Sequence, residues 1–566
     1  MKSSNFHLKV DDYQYQHVYD IFRNYFEFDE AKYEYLIKDI IKVLMEFEKK
    51  GETIIDVDKV QINFDLYNNN WPDAHIKCLN ESGLNNLINP PIANHGRIIS
   101  WSKWSNKLEK IEKKLLKKIN IDIKENINFN NSNWENKIDL IKNILNYSNL
   151  VLLEGGPGTG KTTLIINFIL SYLQTKKNLN IGLAAPTGKA TARIKEALNY
   201  KLDNSLINSG IIDCQTLHGW IYNSTRLGKL KIELNELDIF IIDECSMLSI
   251  DIIDKVLELI NSECKIILVG DANQLPPINN CSIWNNIFEN SKDNLFKFII
   301  VKLNKIYRNN GDIQELSKLI FYEDQSFFIQ KVNSLLKSKL PTNVFIEIRK
   351  TNKLPNKLRE RVILFADTLK RKTAKLSEKN YIFKNNIDNL IKYEKELVLD
   401  IFKTLNSQLI LTARNSGSWS VKDVNSIVIK QNEPYDFDSL SEGIPIMCIE
   451  NNNELGISNG DIGVLIGKNE TRRFLFRKFN KENELIFALI EPYRLDKVIP
   501  ALAVTIHKSQ GSEAENVIIL WNKDKKNNQV NNIKREFNFF RDTFEKRLLY
   551  TGITRAKNNL DIFYLD

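Results

Sequence analysis

Long apolar runs are missing from this chain. No stretch approaches the roughly 18 residues that a membrane-spanning helix needs, so no membrane association is expected. Met1 to Glu30 is polar and aromatic with acidic residues interspersed, which is not the pattern of a secretion signal. Cysteine is also scarce. Cys78, Cys214, Cys245, Cys264, Cys281 and Cys448 form no C-x-x-C pair, and no histidine cluster stands at zinc spacing. Scattered thiols of this kind read as reduced, in an intracellular and cytoplasmic protein. Internal repeats are absent, and so is a separate Asp…Glu-x-Lys metal cluster of the nuclease type.

What is present is ordinary in bulk. At 566 residues the chain is too long for one core, and roughly two to four domains are expected. Hydrophobic residues at 43% and charged residues at 27% suit a globular protein. Lys+Arg 79 against Asp+Glu 71 gives a net charge of +8, which permits a polyanionic partner without requiring one. Asn, Lys and Ile abound, as in "YNNNW" and "KDKKNNQVNNIKR". Biased base composition in the encoding gene accounts for that, and it weakens net charge as a sign of nucleic-acid binding.

The informative stretch is Gly155-Gly156-Pro157-Gly158-Thr159-Gly160-Lys161-Thr162-Thr163. It follows the apolar run Leu150–Leu153 and leads into a helical pattern from Leu164 to Leu170. Strand, glycine-rich loop and helix in that order make a G-x-x-x-x-G-K-[ST] match a nucleotide site. The glycines let backbone N–H groups turn onto phosphate oxygens at the positive end of a helix. Lys161 would reach the β- and γ-phosphates, and Thr162 would offer its hydroxyl to Mg²⁺. The loop implies nucleotide hydrolysis but not what the hydrolysis drives.

Residues 1–128 carry no phosphate or metal motif. Apolar residues recur there at helical spacing, so a mainly helical docking domain is expected, broken by a loop region around Trp71-Pro72, Pro90-Pro91 and Gly96. The Lys/Glu mixture of 104–125, with "KKLLKKI", reads as the solvated face of a connector. Residues 129–298 alternate buried strand and helix, the pattern of a parallel α/β sheet. Strands are expected at Asn149–Leu153, Ile181–Ala185, Ile239–Ile242 and Lys265–Val269. A second alternation over 299–566 is expected to start near Phe298–Leu303 and to resume at Gln408–Thr412, Leu502–Thr505, Val517–Leu520 and Leu560–Tyr564. Within it, 440–495 reads as a small inserted antiparallel barrel. The basic segment 346–384 reads as an exposed helical connector.

Several short motifs add chemistry. Asp243-Glu244 follows a buried strand, which suits Asp243 to a Mg²⁺ shell and Glu244 to polarising the attacking water. Gln274, in "GDANQLPP", could bridge the γ-phosphate and the second domain, or simply cap a turn. Thr187, in "APTGKA", stands at a helix start that suits a phosphodiester or a nucleotide phosphate. Thr216 and His218 lie beside Trp220, which reads as a core tryptophan in preference to a base-stacking one. Phosphoryl transfer needs positive charge on the γ-phosphate, and Arg308 and Arg555 are the arginines whose surroundings suit that role.

GGPGTGKTT, APTGKA, TLHGW, IIDECSM, GDANQLPP, IYR, TIHKSQGSE and YTGITRAK occur in the order seen in superfamily 1 DNA helicases of the RecD type, and the chain resembles that family over roughly 133–566. Its length, and its ending just after the last motif, resemble the alpha subunit of exodeoxyribonuclease V. Stand-alone members usually carry a longer N-terminal region with helix-hairpin-helix units, which is not seen here.

The resemblance implies two RecA-like motor domains, ATP and Mg²⁺ as cofactors, and 5′→3′ translocation on single-stranded DNA. It also implies work at duplex ends beside RecB-like and RecC-like subunits in recombinational repair. By motif, Lys161, Thr162, Asp243, Glu244, Gln274, Arg308 and Arg555 would serve ATP, and Thr187, Thr216, His218, Thr505 and His507 would face DNA. Three departures stand out. The family's adenine-reading glutamine is not found after Asn133-Trp134, where Glu135-Asn136 stand instead. The segment between His218 and Asp243 leaves little room for a strand-splitting pin. Lys523–Lys534 is a long basic loop, read as drifted and solvent-facing, or alternatively as a phosphate contact.

Overall fold

The computed structural model describes residues 4–6, 12–25, 30–62, 71–84, 87–119, 136–175, 179–201, 210–225, 232–277, 283–284, 287, 295–307, 311–322, 324–338, 342–379, 383, 394–430, 435–437, 440–452, 454–479, 485–495, 497–522, 540 and 542–565. The chain forms two compact units. Met1–Glu154, Trp220–Lys302 and Asn538–Arg547 make the first, and Gly155–Gly219, Leu303–Phe537 and Leu548–Asp566 make the second.

In the first unit, helix Glu30–Lys49 buries Ile37, Ile40, Ile41 and Leu44, the stripe that a 3.6-residue period places on one face. Helices Asp12–Tyr25 and Asp73–Glu81 pack against it. The same core takes in Ile55, Ile92 and Ile99 from a three-stranded antiparallel sheet, ordered Ile54–Asp56, Ile98–Trp101, Ile92–His95. Strands there come from short alternating segments around a turn at Gly96, too short to register as a strand pattern beside the longer helical periodicity.

Helix Ser102–Leu116 buries Trp104, Leu108, Ile111 and Leu115. Its charged face keeps Lys103, Glu109, Lys110, Lys113 and Lys117 exposed, as expected, but part of it also forms ion pairs. Lys110 pairs with Asp254 at 3.3 Å and Glu258 at 3.0 Å, Lys114 with Asp254 at 2.8 Å, and Lys107 with Asp251, all on helix Ile250–Leu259. Lys118 donates to the carbonyl of Ser262 at 2.8 Å. The partner carboxylates lie some 140 residues further on, so the pairing could not be read locally.

The parallel strands of this unit run in the order Ile300–Leu303, Leu150–Gly155, Lys265–Gly270, Ile239–Ile242. Strand Ile300–Leu303 therefore belongs beside the phosphate-loop strand, a correction to its expected place at the start of the second alternation. Leu152 donates to the Ile299 carbonyl at 2.9 Å on that edge. Leu150–Leu153 and Ile239–Ile242 are fully buried, which is why they read as continuous apolar runs. Trp220 is wholly buried edge-on to Phe240, as expected of a core residue.

The second unit holds strands Ile181–Ala185 and Ile212–Thr216, paired in parallel. It also holds a five-stranded parallel sheet ordered Val344–Arg349, Ala556–Leu565, Ala514–Asn522, Gln408–Thr412, Val504–Thr505. In sequence between Gln408–Thr412 and Val504–Thr505, which pair directly, the chain makes an antiparallel sheet ordered Leu485–Ile490, Arg473–Phe479, Ile462–Ile466, Pro445–Cys448, Val498–Pro500.

The described residues 346–379 are not an exposed connector. They complete the edge strand Val344–Arg349 and then form helix Asn356–Ser377. Leu358 and Val362 join the parallel sheet's core with Ile410 and Ile518, while Phe365, Leu369 and Leu376 join the antiparallel sheet's core with Ile446 and Leu475. One helix face thus serves two sheets. The basic residues that marked it as exposed line its other side.

Candidate nucleotide and nucleic-acid site

The strand Leu150–Gly155 delivers the phosphate loop, and helix Lys161–Thr175 leaves it with Ile165, Ile166, Phe168 and Ile169 buried. Gly158 and Gly160 hold φ of +75° and +82°, which side chains with a Cβ rarely adopt. Thr159, itself buried, donates its hydroxyl to the Gly156 carbonyl at 2.8 Å and braces the loop from inside. The Lys161 ammonium donates to the carbonyls of Gly155 at 2.6 Å and Gly156 at 3.1 Å. Thr162 lies in the first turn of the helix, half-buried, and Thr163 is exposed.

Two tyrosines absent from the expected site border this loop. The Tyr307 N–H donates to the Gly158 carbonyl at 2.9 Å, and its exposed ring lies 3.7 Å from where a Cβ on Gly160 would stand. The Tyr550 hydroxyl lies 3.0 Å from the same position on Gly156. Any side chain at 155 would also meet the Thr159 hydroxyl at 2.6 Å, so the cradle admits only glycine. Its donors and cation fit a phosphate group. Arg308, next to Tyr307, lies outside the described residues, as do Asn133–Glu135 and Lys523–Lys534.

In the first unit, register sets Glu154 beside Gly270 and Ile242 beside Leu268, so Glu154, Asp243 and Asp271 gather at the carboxyl ends of three neighbouring strands. Asp243 is buried and accepts the Glu244 N–H at 2.8 Å. Glu244 holds a left-handed backbone, φ 55° and ψ 41°, a strained state for a residue with a Cβ. Gln274 is buried and donates its amide to Asp271 at 3.3 Å, so the turn holds its side chain in place. Burial, with Asp271 adding to it, pushes the Glu154 carboxyl above its usual range against the pull of Lys302. Among the described residues no group of three or more His, Cys, Asp or Glu could hold a metal ion unaided.

The residues expected to face DNA all lie in the second unit. The Thr187 hydroxyl accepts the Ala190 N–H at 3.2 Å at the start of helix Gly188–Lys201. Thr216 accepts the Gly219 N–H at 3.1 Å in the same manner, with His218 exposed one residue earlier. Thr505 accepts the Lys508 N–H at 3.4 Å. Burial pushes the His507 imidazole down to about 4, so it is neutral at physiological pH.

The segment after His507 meets the Thr187 helix. Arg193 donates to the Gly511 carbonyl at 3.2 Å and pairs with Glu513 at 2.5 Å, while Lys557 reaches the same carboxylate at 3.5 Å. Arg555 is buried, with Nε donating to the Thr551 carbonyl at 3.1 Å and Nη1 to the Ser512 carbonyl at 3.4 Å. The structure therefore brings Thr187, the Thr505–Glu513 motif and Arg555 into one polar cluster. Arg193 was not anticipated, although it lies one helical turn past Lys189 in the quoted motif.

Among the described residues no helix is long and apolar enough to cross a membrane. Residues 140–280 match the AAA domain family. Over most of its length the chain is similar to the RecBCD enzyme subunit RecD of Buchnera aphidicola. It is 28% identical to the protein of subspecies Schizaphis graminum, across 93% of this chain and 92% of that protein. It is 29% identical to that of subspecies Acyrthosiphon pisum, across 87% and 84%. A stretch covering 23% of this chain and 16% of the ATP-dependent RecD2 DNA helicase of Deinococcus radiodurans is 32% identical. A crystal structure of Bacteroides Pif1 bound to single-stranded DNA aligns at 18% identity and a TM-score of 0.37 over 74% of this chain and 91% of that one. The motifs stand in order along the chain, and the similarity to the RecD subunits of Buchnera aphidicola runs nearly end to end.

Proposed function

We propose that this chain is an ATP-driven DNA helicase that moves 5′→3′ along single-stranded DNA, as the RecD-like subunit of a RecBCD-type helicase-nuclease. It would act at double-strand ends beside RecB-like and RecC-like subunits. The observation that carries the ATPase part is the loop Gly155–Thr163, with left-handed Gly158 and Gly160 and a lysine already bonded at its mouth. The two parallel sheets are read as RecA-like motor domains, and the inserted antiparallel sheet as the family's small barrel.

Gly155, Gly156, Pro157, Gly158, Thr159, Gly160, Lys161, Thr162 and Thr163 would hold the nucleotide's phosphates, and Thr162 with Asp243 would hold Mg²⁺. Bound ATP supplies the anhydride whose hydrolysis drives movement. Lys161 exchanges its two loop carbonyls for phosphate oxygens. Glu244 orients and polarises water, and Gln274, fixed by Asp271, reports on the phosphate end. Arg308 and Arg555 offset charge on the transferring group. Thr187, Thr216, His218, Thr505 and His507 hold the strand, with His507 donating or accepting as a neutral ring.

Lys161→Ala should lower DNA-stimulated ATP turnover by about 10³-fold or more while leaving the melting temperature near wild type. Turnover kept at wild-type level would sink the reading. Unwinding of substrates with 5′ or 3′ tails, by the chain alone and with its partner subunits, tests direction and assembly. Activity solely on 3′-tailed DNA would reverse the assigned polarity.

A further inference from the structure

The second unit's parallel sheet borders a cavity of about 810 Å³, and none of the lining residues belongs to the helicase motifs. Its floor is made where four strands begin. Gln408 stands opposite Asn516, and Asn516 opposite Asn559, in register across three of them, while Asn343 directly precedes the fourth. Leu336, Leu364 and Thr404 come from helices Ser326–Lys337, Asn356–Ser377 and Lys395–Leu405. Thr505 pairs with Thr412, at the other end of strand Gln408–Thr412. The cavity is therefore separate from the residues expected to face DNA.

Much of the polar lining is already engaged. The hydroxyls of Thr342, Thr368 and Ser407 donate to the carbonyls of Val344 at 2.6 Å, Leu364 at 2.7 Å and Thr404 at 2.7 Å. Asn559 donates to the Asn516 side-chain oxygen at 2.8 Å, and Asn516 passes its own amide to the Ser407 carbonyl at 3.2 Å. What remains are donors without an acceptor. The Gln408 Nε2 atom is buried with no partner among the described residues, a state that folded proteins rarely keep. The Lys357 ammonium stands over the Phe345 ring, 3.2 Å from its centre, and no described carboxylate pairs with it. Its nearest acidic neighbours are taken, since Glu347 pairs with Arg349 and buried Asp561 with Arg361.

The rim adds apolar surface and positive charge. Leu364 is 63% exposed and Leu336 38%. Helix Asn356–Ser377 carries seven lysines and arginines against two acidic residues. Large apolar side chains left in water beside a pocket mark a protein contact. The unmet donors call for an acceptor-only group, which an ionised carboxylate is. Nucleic acid fits less well, because Lys357 already covers the Phe345 face on which a base would stack, and Asp561 opposes a polyanion. We propose that this cavity docks an acidic segment of a partner protein, its carboxylate received by Gln408 and Lys357 and its apolar neighbours seated on Leu336 and Leu364. The docking site stands apart from the nucleotide and DNA readings, and it extends the proposed assembly with other subunits.

The test uses the full chain and a short fluorescent peptide alternating glutamate and leucine, followed by anisotropy beside its glutamine–leucine and lysine–leucine counterparts. Wild type should prefer the glutamate peptide by roughly tenfold, and Lys357→Glu should turn the preference toward the lysine peptide. Gln408→Leu should weaken the glutamate peptide by about three- to tenfold while the melting temperature holds or rises, because an unmet buried donor is gone. Leu364→Ser, on the exposed rim, should weaken the same peptide without altering the melt. All three variants should keep DNA-stimulated ATP turnover. If wild type shows no preference for glutamate, or the variants bind that peptide as wild type does, the docking site is wrong and the helicase reading stands. An oligothymidylate that displaces the peptide would assign the cavity to nucleic acid and equally overturn it. If DNA fails to stimulate turnover while the peptide binds as described, the helicase reading falls and the docking site stands.

Discussion

Helices Ser102–Leu116 and Asn356–Ser377 look alike as strings of letters, being lysine-rich and amphipathic, yet they are held by different forces. The first joins an apolar stripe to a row of ion pairs with Asp251, Asp254 and Glu258. The second buries Leu358, Val362, Phe365, Leu369 and Leu376 along its whole length, with Lys372 pairing to Asp400 at 2.8 Å beside that stripe. A charged face therefore says nothing by itself about solvation. What decides is whether complementary charge folds opposite it.

The comparison can be broken at the apolar seam first. Leu369 is fully buried between the helix and the inserted sheet, so Leu369→Ala should cost about 2–5 kcal/mol in a urea or thermal melt of the second unit. A cost below about 1 kcal/mol would mean the two are not packed as described. At the ionic seam the effects are smaller. Asp254→Ala removes the acceptor shared by Lys110 and Lys114, both partly exposed, and should cost about 1 kcal/mol or less.

Acid should act on the same seam. Burial opposes ionisation of Asp254, but Lys114 and Lys110 outweigh it and hold the carboxyl below its usual range. With a depressed folded pKa, its stabilisation is present above the unfolded value of about 3.9 and is lost as pH falls through the folded one. Melts of wild type and Asp254→Ala should therefore converge in strong acid, and a constant gap would assign the effect to packing. The smallest expected change is that from raising salt to about 1 M, which should trim the Asp254 contribution and leave that of Leu369 untouched.

Much of the architecture was legible because buried parallel strands are written as short apolar runs. Ile181–Ala185, Ile239–Ile242 and Gln408–Thr412 fall where the sequence placed them. Strand Ile212–Thr216 did not stand out, because Asp213 and Gln215 alternate with its apolar residues at a sheet edge. Ile300–Leu303 was legible as a strand but not as a neighbour of Leu150–Gly155, since pairing across some 150 residues leaves no local mark. The site divides the same way. Contiguous motifs announced Lys161, Asp243 and Thr187, whereas Tyr550 and Arg193 reach the site through contacts between distant segments.

The left-handed backbone at Glu244 sets folding against the chemistry proposed for that residue. The conformation is cheap for glycine and costs other residues about 1–2 kcal/mol. A chain selected for stability alone would drift toward glycine there and lose its carboxylate. Glu244→Gly should hold or raise the melting temperature while removing ATP turnover, which would mark the position as one where activity is retained at the expense of robustness.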